Sequence, residues 1–464
     1  MIPDSAEGLS AAYASGKLSP VEATRECLAR IAAWEPKLNA MYRLDRDGAL
    51  AQAHAAEARW RAGAPLSPLD GVPITIKENI HTRGDPAPIG TRANQDLPPQ
   101  RDDAPSAARV REAGCVILGK TTMPDYGMLS SGVSSFHGVT RNPWMLNRNP
   151  SGSSSGAGAA AAAGYAPLHL GTDIGGSVRL PATHCGIFAL KPSLGRVPVH
   201  PPYMGRVVGP MTRSVADAAL LMNVIARPDP RDFMSLPASQ QDFAVKTANP
   251  RELKIGFLPD MGVGLAVQPE VRAAAEAAAA ALAGAGCAVE SIRSFLTEEM
   301  LDGMCRFFEA RLHNDLAQLP AARRGKVLPF VAEWCTWRAG GFSGRDVMQA
   351  YTLVMARREA AVAATEAYDF LLSPTSPIVA YEAELPAPGN DSHDALPHIA
   401  FTVPWNMSEQ PAASVNWSWS GGGLPIGIQL IGKRFDDAGV LRLAKLVEEI
   451  RPKQRPWPRQ PATA

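Results

Sequence analysis

Gly171-Thr172-Asp173-Ile174-Gly175-Gly176-Ser177-Val178-Arg179 continues directly from an apolar run, Pro167-Leu168-His169-Leu170-Gly171. That run is short and bounded by Pro and Gly, which predicts a buried strand. The glycines after it predict a turn whose backbone can approach a ligand closely. Successive N–H groups in such a turn can point to one spot and hold a developing oxyanion there. Ser177 stands directly after the turn. Asp173 and Arg179 flank it with opposite charge and are expected to pair. An ordinary glycine turn would also explain Gly175-Gly176-Ser177 taken alone, so the surrounding sequence has to discriminate.

Upstream, an Ala-rich helix runs to about Ala163 behind the loop Asn147-Arg148-Asn149-Pro150. Gly71-Val72-Pro73-Ile74-Thr75-Ile76-Lys77 and Val116-Ile117-Leu118-Gly119 predict strands, with a helix over 106–113 between them. Ser19-Pro20-Val21-Glu22 predicts a capped helix start, Ser capping and Glu reaching back, and residues 50–61 a second surface helix. Downstream, residues 254–258, 271–283 and 288–292 predict a βαβ unit, and 298–368 a mostly helical stretch. Strands follow at 370–372 and 413–415, then a hairpin over Gly421-Gly422-Gly423 into 424–431, and a capped helix over 437–450. Strands alternating with helices predict an α/β protein with a buried central sheet. The Pro-punctuated run 226–250 marks the expected boundary between a core part (1–226) and a mostly helical substrate-side region (227–370). Residues 371–464 then return to the sheet.

Two further groups carry chemistry. Gly152-Ser153-Ser154-Ser155-Gly156 fits a G-x-S-x-G nucleophile elbow centred on Ser154, but an elbow needs a preceding strand, which Asn-Pro does not make. At the N-terminus of the Ala-rich helix, these hydroxyls instead meet orphan N–H groups and the positive end of the dipole. Simple N-capping would account for one serine, not three. Lys77 closes a buried strand, where a charged ammonium is costly. A desolvated lysine can lose its proton and act as a base; lowering its pKa from about 10.4 to about 7.5 costs on the order of 4 kcal/mol. A strand-edge pair with Glu78 is the structural alternative.

Composition removes several classes of function. Lys+Arg 46 against Asp+Glu 45 leaves a net charge of +1, without the lopsided field of a nucleic-acid-coating protein. The N-terminal residues carry no secretory signal pattern, and the least polar stretch, 157–170, is too short to span a bilayer. The six cysteines show neither metal-ligand nor disulfide-framework spacing. A soluble, cytoplasmic protein with reduced thiols is expected.

Together, Gly71–Asn79, Gly152–Gly156, Gly171–Ala182, Cys185–Arg196, Gly209–Ser214 and Leu424–Gln429 resemble the amidase signature family of Ser–cisSer–Lys amide hydrolases. Ser153 and Ser177 stand twenty-four residues apart, the family's spacing. The resemblance implies a large mixed central β-sheet flanked by helices on both faces. It implies Ser177 as nucleophile, Ser153 as proton bridge after a cis peptide bond, and Lys77 as base. N–H groups of Ile174, Gly175, Gly176 and Ser177 would form the oxyanion hole, with no metal or cofactor. By analogy, Gly127, Met128 and Thr172 would contact substrate, followed by Tyr203, Met204, Trp405 and the Trp417/Trp419 pair, although alternating tryptophans on a strand more often build a core. Ser151, Ser155, Ala161 and His169 depart from the family pattern, away from the three catalytic positions.

The resemblance implies a small-molecule amide substrate and allows a homodimer. Aromatics and methionines near the site favour a hydrophobic aryl or alkyl amide, with esters or carbamates as side substrates. The rival expectation is an A-type subunit of a glutamine-dependent tRNA amidotransferase, in which the same machinery makes ammonia for a partner. The neutral charge and the divergent 227–370 region lean against that rival. A non-catalytic scaffold is the third alternative, and the presence of all three catalytic residue types opposes it.

Overall fold

The computed structural model describes residues 2–461 except 240 and 245. Thirteen strands run in chain order: β1 (Met41–Leu44), β2 (Pro73–Lys77), β3 (Val116–Thr121), β4 (Val133–Ser134), β5 (Gly138–Val139), β6 (Leu168–Asp173) and β7 (Phe188–Lys191), then β8 (Val207–Thr212), β9 (Lys254–Phe257), β10 (Ala288–Ser291), β11 (Phe370–Pro374), β12 (Ala412–Trp419) and β13 (Pro425–Gly432). β4 and β5 form a small hairpin; the other strands make one eleven-stranded sheet in the order β1-β3-β2-β6-β8-β7-β12-β13-β11-β9-β10. Helices cover both faces of this mixed sheet.

Local sequence explains the elements that matter. β2 and β6 are parallel neighbours, and every residue of both is buried, as expected for strands covered on two faces. Ser19 caps Pro20–Leu38 with the reciprocal Ser19/Glu22 bonds of a capping box. The helix Ser155–Ala163 is buried on all sides, and its small residues permit this: a Cβ on Gly156 would collide with the Ala40 carbonyl.

The 227–370 segment is tied into the same sheet. After residues 226–249, whose described members form no helix or strand, β9 and β10 pair in parallel around the helix Pro269–Ala285, and β11 joins β9. The helices Glu298–Ala317, Pro329–Thr336 and Gly344–Glu366 then pack together. Met304, Phe308, Leu312, Val331, Trp334 and Val354 meet Leu396, Ile399, Val403 and Met407 there in one apolar cluster. The six cysteines are unpaired. Among the described residues no helix is long and apolar enough to cross a membrane.

Candidate active site

The site forms where parallel strands end. Ile76 of β2 lies opposite Leu170 of β6, so the chain leaves both strands side by side at Lys77 and at Gly171–Asp173. Crevices beyond the carboxyl ends of parallel strands are the usual ligand positions in α/β sheets. The loop before the helix Ser155–Ala163 brings its serines to the same point.

Lys77 is fully buried, and its Nζ lies 2.8 Å from Ser153 Oγ, 3.0 Å from Ser154 Oγ and 2.9 Å from Thr172 Oγ1. Burial pushes its pKa well below that of an ordinary lysine; Asp173 opposes this and Arg206 reinforces it. Glu78 is not its partner, because that carboxylate accepts from Gly90 N–H at 2.7 Å and meets His137 Nε2 at 2.5 Å. The three hydroxyls are not equivalent. Ser154 Oγ donates to the Thr172 carbonyl at 3.1 Å, and Thr172 Oγ1 has Asn79 Oδ1 as acceptor at 3.4 Å. Ser153 has no other acceptor among the described residues, so its proton is the one that faces the lone pair of a neutral Lys77.

Ser153 follows a cis peptide bond from Gly152. A Cβ on Gly127 would sit 3.2 Å from Ser153 Oγ, which explains why the wall beside this serine is glycine. Ser177 is 9% exposed, and its carbonyl accepts from Ser154 N–H at 3.1 Å, which fastens the serine loop to the glycine turn.

The turn is held from within. Asp173 and Arg179, both fully buried, pair through Nη2–Oδ1 at 2.9 Å and Nε–Oδ2 at 3.0 Å. Burial alone would raise Asp173, but the guanidinium, two backbone N–H groups and Asn406 hold its carboxyl far below the usual range. One of those N–H groups belongs to Gly176, which donates to Asp173 Oδ1 at 2.8 Å. The expected oxyanion donor Gly176 N–H is thus turned to the carboxylate in this structure. The N–H groups of Ile174, Gly175 and Ser177 have no acceptor among the described residues.

One cavity adjoins the turn and a second lies farther out. The inner one, a narrow space of about 20 Å³, touches Ser177 and is walled by Gly127, Met128, Leu129, Ile174, Phe308, Leu396 and Ile399, with Ser130 and Gly175. The outer one, of about 720 Å³, is lined among others by Asn79, Tyr126, Tyr203, Arg206, Phe307, Arg311 and Asp315. Gly127 and Met128 line the inner cavity. Thr172 does not, because its hydroxyl is turned to Lys77 and Asn79.

Tyr203 lines the outer cavity, and Met204 packs against the helical cluster. The three tryptophans lie on neither wall. Trp405 is buried against Phe295, Trp417 belongs to the sheet core, and Trp419 stacks edge-on with Trp144. Of the departures from the family pattern, Ser151 adopts φ 64°, a left-handed conformation that glycine takes without strain. His169 is a satisfied core histidine, bonded to Thr75 at 2.7 Å and to the Ala166 carbonyl at 2.9 Å. Asn79, Phe308, Leu396, Ile399 and the Arg206/Arg311 pair were not anticipated. Only Asn79 carried a signal, as the polar residue two positions after Lys77.

A buried lysine held by three hydroxyls thus lies near a turn whose Ile174, Gly175 and Ser177 N–H groups have no acceptor among the described residues. The Amidase family model matches residues 22–441, and the chain belongs to the amidase signature family. It is 37% identical to the A-type subunit of the glutamyl-tRNA(Gln) amidotransferase of Chloroflexus aggregans, across 95% of this chain and 94% of that one. Its fold superposes on a bacterial aryl acylamidase of the amidase signature family with a TM-score of 0.89 at 29% identity, covering 96% of each chain. A 6-aminohexanoate cyclic dimer hydrolase follows with a TM-score of 0.85 at 29% identity, over 99% of this chain and 98% of that one.

Proposed function

We propose that this chain cleaves a carboxylic amide through an acyl-enzyme on Ser177. Neutral Lys77 takes the Ser153 proton as Ser153 takes that of Ser177, and the Ser177 oxygen attacks the amide carbonyl. The N–H groups of Ile174, Gly175 and Ser177 receive the oxyanion. Ser153 returns a proton to the departing nitrogen as the C–N bond breaks, and water, deprotonated by the same relay, releases the acid. The contacts of Lys77 with three hydroxyls are the observation that supports this most.

The substrate we propose is an amide with an apolar aryl or alkyl group. The support is the inner wall of Met128, Leu129, Ile174, Phe308, Leu396 and Ile399, which holds no charged side chain against Ser177. Phe308 comes from the 227–370 segment, in keeping with a substrate-side role for that region. The curated relatives favour a second reading more directly: an A-type subunit of a glutamine-dependent tRNA amidotransferase, working with partner chains and an RNA complex. The six unpaired thiols suit a cytoplasmic setting for either.

A substrate panel separates the two. Purified protein is assayed for amine release from acyl anilides and alkyl amides and for ammonia release from glutamine, with Ser177→Ala as control. Cleavage of the apolar amides is expected. Turnover of glutamine alone would overturn the apolar reading in favour of the amidotransferase one, and no turnover of the apolar amides would overturn the apolar reading.

A further inference from the structure

The outer cavity carries charge that the chemistry above does not use. Two guanidinium groups rest on one ring: the Cζ of Arg206 lies 5.2 Å and that of Arg311 4.4 Å from the Tyr203 centroid. Among the described residues neither guanidinium makes an ion pair or a side-chain hydrogen bond, although Asp315 shares the cavity. Burial, and then repulsion from Arg311, push Arg206 down to about 10. Two cations against one carboxylate leave the wall short of a single negative charge, and half-buried charges without counterions are costly.

One hydrogen-bonded chain runs from this cavity to Lys77. Asn79 on its wall donates to Thr172 Oγ1 at 3.1 Å, and that oxygen contacts Lys77. Tyr126 and Phe307 line the outer cavity while their chain neighbours Gly127 and Phe308 line the inner one. The two cavities thus share the lining segments 126–127 and 307–308, which sets the arginines and Ser177 on either side of the same chain stretches.

We propose that Arg206 and Arg311 bind a carboxylate on the substrate, so that the preferred amides are amphiphilic, apolar at one end and monoanionic at the other. A carboxylate matches both the missing charge and the planar fork of guanidinium donors. A dianionic phosphate would overshoot that charge. The proposal rests on Ser177 being the site of amide cleavage.

The test uses binding and turnover separately. Ser177→Ala is titrated calorimetrically with hexanoic acid anilide, adipic acid mono-anilide and the hexanoyl amide of 4-aminobenzoate. One of the two carboxylates is expected to bind at least about tenfold more tightly than the neutral anilide, by charge-assisted bonds. Which one does so tells whether the anion lies on the acyl or the amine side. The ratio is expected to collapse in Ser177→Ala/Arg311→Gln, to survive in part in Ser177→Ala/Arg311→Lys, and to shrink with added salt. The salt series needs no variant of the arginine, so a misfolded Arg311→Gln does not block the test. Equal binding of all three compounds, or an advantage untouched by salt, would overturn the proposal. Cleavage of the neutral anilide by the unaltered protein tests the amide reading itself: a binding advantage without any turnover would keep the carboxylate site and sink the chemistry.

Discussion

Asp173→Asn replaces one carboxylate oxygen by an amide nitrogen at the centre of the glycine turn. The carboxylate accepts from Gly176 N–H at 2.8 Å, Val178 N–H at 3.1 Å, Arg179 Nε at 3.0 Å, Arg179 Nη2 at 2.9 Å and Asn406 Nδ2 at 2.8 Å. An asparagine offers one acceptor oxygen, and its NH₂ would face donors. Arg179 keeps neutral acceptors in Thr402 O and Gln429 Oε1 but loses its counter-charge. Breaking a fully buried pair from one side costs about 3–5 kcal/mol. With an unfolding entropy of about 2.1 cal/mol/K per residue, a chain of 464 residues carries about 1 kcal/mol/K, so the melting midpoint should fall by about 3–5 °C. Activity should fall further than stability. The loosened turn no longer fixes the N–H groups of Ile174 and Gly175, and the loss of one oxyanion donor is worth about 10²–10³ in rate. Scanning calorimetry and steady-state kinetics on a cleaved amide read the two effects. Asp173→Leu/Arg179→Met, which removes both charges, should regain most of the stability and none of the activity. A single variant with an unchanged midpoint and unchanged kcat/KM would refute the view that this ion pair builds the turn.

Lys191, whose Nζ donates to the Pro192 carbonyl, is pushed down to about 7, mainly by burial and then by Arg179. Between about pH 7 and about 10.4 the unfolded chain holds a proton there that the folded chain lacks, so this group adds stability as pH rises. The midpoint of the unaltered protein minus that of Lys191→Met should therefore increase across that window, and a flat difference would contradict the assignment. Ser155 Oγ is buried without a partner among the described residues. Ser155→Ala should stabilise by about 1 kcal/mol in denaturant unfolding, and a loss of stability would show that the hydroxyl is bonded. Arg357 is buried with Nε, Nη1 and Nη2 all without a protein partner among the described residues. Arg357→Met should leave a protein more stable by about 1–4 kcal/mol, and a destabilised variant would mean that the guanidinium is satisfied.

Much of this was legible in the sequence because it was local. Ser19 with Glu22 announces a helix start, Pro-Ile-Thr-Ile a buried strand, and Gly175-Gly176-Ser177 a turn of N–H groups. The opposite charges of Asp173 and Arg179, six residues apart, announced their pair. What stayed hidden depends on contacts between distant segments. Nothing in residues 298–317 says that Phe308 faces the serine while Arg311 faces the outer cavity; only packing against 396–407 decides that. The commitment of the Gly176 N–H is a matter of turn geometry that no spacing encodes. Trp405 stood among the pocket candidates and lies buried against Phe295, because large aromatics serve cores and pockets equally well, whereas the alternation of Trp417 and Trp419 already favoured a core. The order of eleven strands, with β12 and β13 between β7 and β11, follows from long crossovers that leave no pattern in the chain.

The central claim is that Ser177 is the nucleophile and depends on a neutral Lys77. Labelling with a fluorophosphonate, with the modified peptide mapped by mass and the rate followed against pH, tests it most directly. A single adduct on Ser177 is predicted, with a rate that rises through a pKa below that of ordinary lysine and is lost in Lys77→Ala. An adduct on Ser153 or Ser154 instead, or a Ser177 rate unchanged in Lys77→Ala, would contradict the account.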